Sequence, residues 1–152
     1  MKIFERVRPW WRLVRVTRAV FNAFDSIFKP FRAANLREKF RSDEFVIAYM
    51  YGVMTRFFDC YGVVGHGTQP AQILLKGYEF VFPGHGAEIV RLTIVRIKGQ
   101  NERFMRDLRA GSNEADQYLR TKGKSGLPSL TLHLTTQSSF RKVQDGGQVS
   151  SP

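Results

Sequence analysis

Apolar residues recur every three or four positions through the first thirty residues. Trp10, Leu13, Val20, Phe24, Ile27 and Phe31 form one stripe, with Thr17 keeping its spacing, and Val14, Phe21 and Phe28 widen it. Arg8, Arg12, Arg15, Arg18 and Asn22 fall on the other side. This period predicts an amphipathic helix with an almost purely cationic outer face. Pro9 suits its first turn, where a missing N–H costs nothing. Pro30 stops it near Lys29, because the residue before proline avoids the α region. Such a helix has about 20 residues and spans roughly 30 Å. Trp11 points toward the arginines and is the aromatic expected to face water.

The pattern then changes. "NLREKF" reads as a short turn capped by Asn35. Ser42 is the expected cap of the next helix, with Asp43 and Glu44 in a first turn that favours acids. "DEFVIAYMYGVMTRFFDCY" is apolar on nearly every side, which places it at the centre of a bundle, and Gly62 is its natural stop. Thr68 is the expected cap of a further helix, with Pro70 in its first turn. Leu74, Leu75, Tyr78, Val81 and Phe82 form its packing stripe, and Pro83-Gly84 ends it. "AEIVRLTIVRIKG" is rich in β-branched residues, which favours a strand. Its short connection to a helical neighbour favours a helical hairpin instead. "NERFMRDLR" and "SNEADQYLR" read as two short helices broken at Gly111, the second capped by Ser112 or Asn113. In "LPSLTLHLTT" the strict alternation of Leu130, Leu132 and Leu134 predicts an extended arm. From Gln137 the chain turns polar and small, as in a disordered tail.

These elements predict a mainly α fold: one compact domain of about five helices with a short C-terminal extended arm. The alternative is α+β, with a small antiparallel sheet formed by residues 78–98 and 129–135. The expected division is a basic N-terminal helix over 1–34, a helical core over 35–135 and a flexible tail over 136–152.

Charge sharpens this picture. Residues 1–41 carry 11 Lys/Arg against 3 Asp/Glu, and residues 42–152 carry 13 against 10, so most of the net +11 lies in the first quarter. Such asymmetry points to an anionic partner for that segment. With 43% hydrophobic residues and 13 Phe, the chain has the apolar material for a real core. One Cys precludes an internal disulfide framework. The longest apolar run is interrupted by Arg56 and Asp59, so it reads as a buried helix and not as a membrane span.

Residues with catalytic potential are sparse. "GHG" occurs at 65–67 and 84–86, which makes His66 and His85 candidate metal ligands, with Asp59 or Cys60 as a third. Flexible turns explain the same residues equally well. If one helix separates the two loops, they lie about 20 Å apart, which argues against a shared ion. Cys60 in an apolar helix makes a poor nucleophile for a pair with His66. Backbone N–H groups at Thr68 can receive an anion. Glu79, Glu88 and Glu102 are spaced as a solvated face. No set of nucleophile, base and oxyanion donors assembles, and no cofactor motif appears.

The sequence therefore points to a non-catalytic adaptor. Its basic helix docks on an anionic membrane surface or on a partner protein. Trp10, Trp11, Leu13, Phe24 and Phe28 supply apolar contact, and Arg8, Arg12, Arg15 and Arg18 supply steering. The expected location is the cytoplasm, peripheral to a membrane, although residues 1–24 also share the Arg-rich, acid-poor character of a mitochondrial presequence. A nucleic-acid accessory protein is the second class. A small metal-dependent enzyme using the GHG loops is the third.

Overall fold

A helix that is apolar on all sides needs neighbours on all sides, and residues 44–60 set that condition. The computed structural model describes the backbone of residues 2–34, 36–63 and 69–145, and the side chains of residues 10–31, 38–63 and 70–138. Among the described residues it contains α1 (Lys2–Phe28), a 3-10 segment (Lys29–Ala34), α2 (Leu36–Phe40), α3 (Glu44–Cys60), α4 (Gln69–Val81), α5 (Gly86–Lys98), α6 (Glu102–Arg120) and α7 (Pro128–Asp145). The fold is mainly helical and forms one domain around α3, which buries residues such as Val46, Met50, Val53, Met54 and Phe57.

Asp43 caps α3: its Oδ1 accepts from the Val46 N–H at 3.1 Å. The cap thus lies one residue beyond the expected Ser42. Gly62, at φ 67°, turns the chain away after Tyr61 as expected. The expected caps Asn35 and Thr68 lie outside the described residues. Pro9 does not open α1, because the helix already begins at Lys2. Pro30 does end it, and the chain tightens into the 3-10 segment.

The closest packing is between α3 and α6, which run in the same direction. A Cβ on Gly52 would lie 1.9 Å from the Leu108 carbonyl oxygen, and one on Gly111 would lie 2.1 Å from that of Tyr49. The two backbones touch directly. This corrects the expected break at Gly111: α6 is one continuous helix, and the glycine is needed for close approach, not for a turn. Farther along, Phe57 packs on Tyr118 with centroids 5.9 Å apart, and Arg56 Nη2 meets Asp116 Oδ1 at 2.8 Å.

The expected extended arm over 129–135 is also helical, and no strand occurs among the described residues, so the α+β alternative falls. Leu130 and Leu134 are buried, as is Leu127, whereas Leu132 is 69% exposed. Positions i and i+4 face one way in both a strand and a helix; only the middle leucine separates the two readings. Pro128 opens α7, and Glu114 of α6 closes its first turn by accepting from the Ser129 N–H at 3.0 Å and from the Ser129 hydroxyl. Helix α7 continues to Asp145, past the position where the polar tail was expected to begin; residues 146–152 lie outside the described residues.

Helices α4 and α5 form the anticipated hairpin. Glu79 joins them, accepting from the N–H groups of Gly84 at 2.5 Å and Gly86 at 2.9 Å. Ile89 and Thr93 face inward at helical spacing, with Ile97 half-buried behind them, and Tyr78 donates to the Ile47 carbonyl at 2.8 Å. Helix α4 also rests on α1, where Phe21 and Phe80 stack with centroids 4.4 Å apart.

Two tests follow from this packing. Gly111→Ala raises intrinsic helix propensity but should lower stability by about 2–3 kcal/mol through overpacking. A urea midpoint equal to or above wild type would show that α3 and α6 separate freely. Glu79 provides the second. Its carboxyl is held below the usual range by the Gly84 and then the Gly86 N–H bonds. Because the folded pKa is depressed, the contribution is full above the unfolded value of about 4.3 and is lost as pH falls through the folded value. The melting-temperature gap between wild type and Glu79→Gln should therefore narrow as pH drops below about 4; a gap independent of pH would contradict this.

Candidate docking face of helix α1

Helix α1 is buried along only part of its length. Val16, Val20, Ala23, Phe24 and Phe28 are sealed in the core. From Trp10 to Arg15 no side chain is fully buried. Trp10 and Trp11 are each 56% exposed and meet edge to face, with centroids 5.3 Å apart. At about 100° per residue, Trp11, Arg15, Arg18 and Asn22 share an arc of roughly 60°. Among the described residues Arg12, Arg15 and Arg18 have no ion pair, and all three are exposed. Arg12 leans toward the end of α3, its Nη1 lying 3.6 Å from where a Cβ on Gly62 would sit.

Trp10 lies on the neighbouring arc. Together with Leu13, Val14 and Phe21 it lines a groove of about 330 Å³ that Lys76 of α4 borders. Thr17, Arg18 and Asn22 complete the wall. The result is an aromatic and aliphatic surface set among cations, the composition that suits the headgroup region of an anionic bilayer.

The expected contact set divides. Trp10, Trp11, Arg12, Arg15 and Arg18 lie on the surface, and Leu13 is half-buried at the groove. The structure removes Phe24 and Phe28: Phe28 packs against Phe24 and Phe82 inside the core, where no outside surface reaches it. The Arg8 side chain lies outside the described residues. Lys76 was missed because only folding brings it to α1. Leu75, expected in the packing stripe of α4, is 40% exposed. A second apolar surface was also missed. Leu92, Ile94 and Val95 of α5 are exposed beside Arg91 and Lys98.

Of the two GHG histidines, only His85 lies among the described residues. His85 is held by Arg41, whose Nη1 lies 2.8 Å from Nδ1 and 3.2 Å from Nε2. A guanidinium only donates, so the ring accepts there, and the carboxylates of Glu38 and Glu88 lie 3.8 and 3.6 Å from the ring nitrogens. His66 lies outside the described residues. Among the described residues no cluster of three or more His, Cys, Asp or Glu is placed to hold a metal. Cys60 ends α3 and is exposed.

Ser129, His133, Asp43 and Glu114 have the residue types of a hydrolase triad but not its wiring. The Ser129 hydroxyl donates to Glu114, and His133 Nε2 meets Asp43 Oδ2 at 2.8 Å. The imidazole lies against Phe45, with centroids 4.4 Å apart. Burial, then the bond to Glu114, pushes the Tyr49 hydroxyl up and keeps it neutral. These groups fasten α7 to α3 and α6. Among the described residues no helix is long and apolar enough to cross a membrane. Comparison with protein-family models, curated proteins and solved structures returns no match.

Both tryptophans of the chain lie on this face, so indole fluorescence reports it alone. Iodide should quench that emission several-fold more strongly than caesium at low ionic strength, and the difference should shrink in high salt. Equal quenching by both ions would mean that the arginines do not surround the rings.

Proposed function

We propose that the protein is a non-catalytic peripheral adaptor that docks on anionic membrane surfaces through the outer half of α1. The observation that carries this reading is the pair of half-exposed tryptophans set among three arginines that lack ion pairs within the described structure. Indole rings favour the bilayer interface, and cations favour an anionic leaflet. Arg12, Arg15, Arg18 and Lys76 at about 1 kcal/mol each give roughly 4 kcal/mol, close to a thousandfold preference for anionic over neutral lipid at low salt. The burial of Phe24 and Phe28 shortens the contact, so attachment is reversible and salt-sensitive, not permanent.

Single-stranded nucleic acid is a second reading, and one observation favours it. Trp11 lies on the same arc as Arg15 and Arg18, and stacking platforms place rings beside cations in this way. Trp10 favours the membrane reading, because it lies off that arc and shares a groove with Leu13, Val14 and Phe21.

Vesicle co-sedimentation separates the two readings. Wild type should bind phosphatidylcholine vesicles containing phosphatidylglycerol and ignore phosphatidylcholine alone. Arg15→Glu with Arg18→Glu should weaken binding at least about tenfold, and Trp10→Ala with Trp11→Ala should weaken it at every salt concentration. Equal binding to neutral vesicles, or no binding to either, would sink the membrane reading. Tight, steeply salt-dependent binding to oligonucleotides would put the second in its place.

A further inference from the structure

We propose that the groove between α1 and α4 is a site for a single anionic phospholipid, its phosphate at the cationic rim and the start of an acyl chain on the apolar floor. This rests on the membrane reading and extends it from general attraction to one bound lipid. The groove is polarised along α1. Its N-terminal end is formed by Trp10, Leu13 and Val14, its other end carries Arg18 and Asn22 beside Phe21, and Lys76 lines it from α4. From Trp10 to Asn22 the wall runs about 18 Å along the helix. An apolar end and a charged end at that spacing match an amphiphile with one head and one tail.

The rim has one sign. No residue lining the groove is acidic, and two cations come from two different helices. A phosphate placed between them meets two positive charges, and the Asn22 amide and Thr17 hydroxyl offer further donors. The floor is held firm, because Phe21 is stacked on Phe80 at an interplanar angle of 9°. A volume of about 330 Å³ falls at the small end of the roughly 300–1,000 Å³ of small-molecule sites. It therefore accommodates a headgroup region and part of one chain, not a whole lipid.

Short-chain phosphatidylglycerol below its micelle concentration is the direct probe, because it presents single molecules and no surface. Tryptophan fluorescence should follow it to saturation at one lipid per protein, with no response to short-chain phosphatidylcholine. Lys76→Glu should weaken binding about thirtyfold and, separately, Asn22→Asp about fivefold. Both positions are exposed, so the fold should survive, and circular dichroism checks that it does. Arg103→Glu, at the far end of α6, should bind like wild type. If anionic vesicles still bind while the monomeric lipid never saturates, the site is overturned and surface docking stands. An equal response to phosphatidylcholine, or an equal loss in Arg103→Glu, would also overturn it. Failure with both vesicles and monomers would remove the docking reading itself.

Discussion

The direct contact of the α3 and α6 backbones at Gly52 and Gly111 is the constraint from which the rest follows. It brings the two helices within a distance that no side chain permits. It thereby sets Tyr49 and Glu114 close enough to bond and to receive Ser129, which seats α7. With α6 and α7 committed on that side, α1, α4 and α5 cover what remains of α3. Helix α3 has 17 residues and α1 has 27, about 26 Å against 40 Å. One end of α1 must overhang the helix it covers. Among the described residues the buried stripe begins at Val16, and the turns before it carry Trp10, Trp11, Arg12 and Arg15.

Much of this architecture was legible in the sequence, and what was not has local causes. The all-round apolarity of residues 44–60 identified the central helix because no other environment satisfies it. Gly111 was misread because a glycine that permits close packing looks, in one chain, like a glycine that breaks a helix. The segment 128–135 was misread because leucines at i, i+2 and i+4 satisfy two periods at once. In α5 the charges fit neither period because Leu92, Ile94 and Val95 face outward among Arg91 and Lys98. Nothing in the sequence of α5 alone separates that face from a packed one.

The candidate site was half legible for a different reason. The stripe from Trp10 to Phe31 is continuous in sequence, and its periodicity does not record where the core ends. Phe24 and Trp10 obey the same spacing, yet one is sealed and the other is 56% exposed. Only the length of α3 decides between them. Lys76 lies 58 residues from Arg18 in the chain, and no local pattern links the two. The groove arises from tertiary packing and has no sequence signature of its own.

The overhang also changes the energetics of the proposed docking. An isolated amphipathic segment of this length is marginally helical in water and must order its backbone as it binds, at about 1–2 kcal/mol per residue fixed. Here the exposed turns continue a helix whose second half is locked by Val16, Val20, Phe24 and Phe28. The costly nucleus is already formed inside the core, so the outer turns extend an existing helix. In the proposed docking, a few cations and two indoles would then suffice for reversible attachment, because their interaction is not consumed by folding the segment that presents them. The same residues that were lost as contacts, Phe24 and Phe28, would thus contribute to the proposed docking from within, by holding rigid the ridge that presents Trp10 and Trp11.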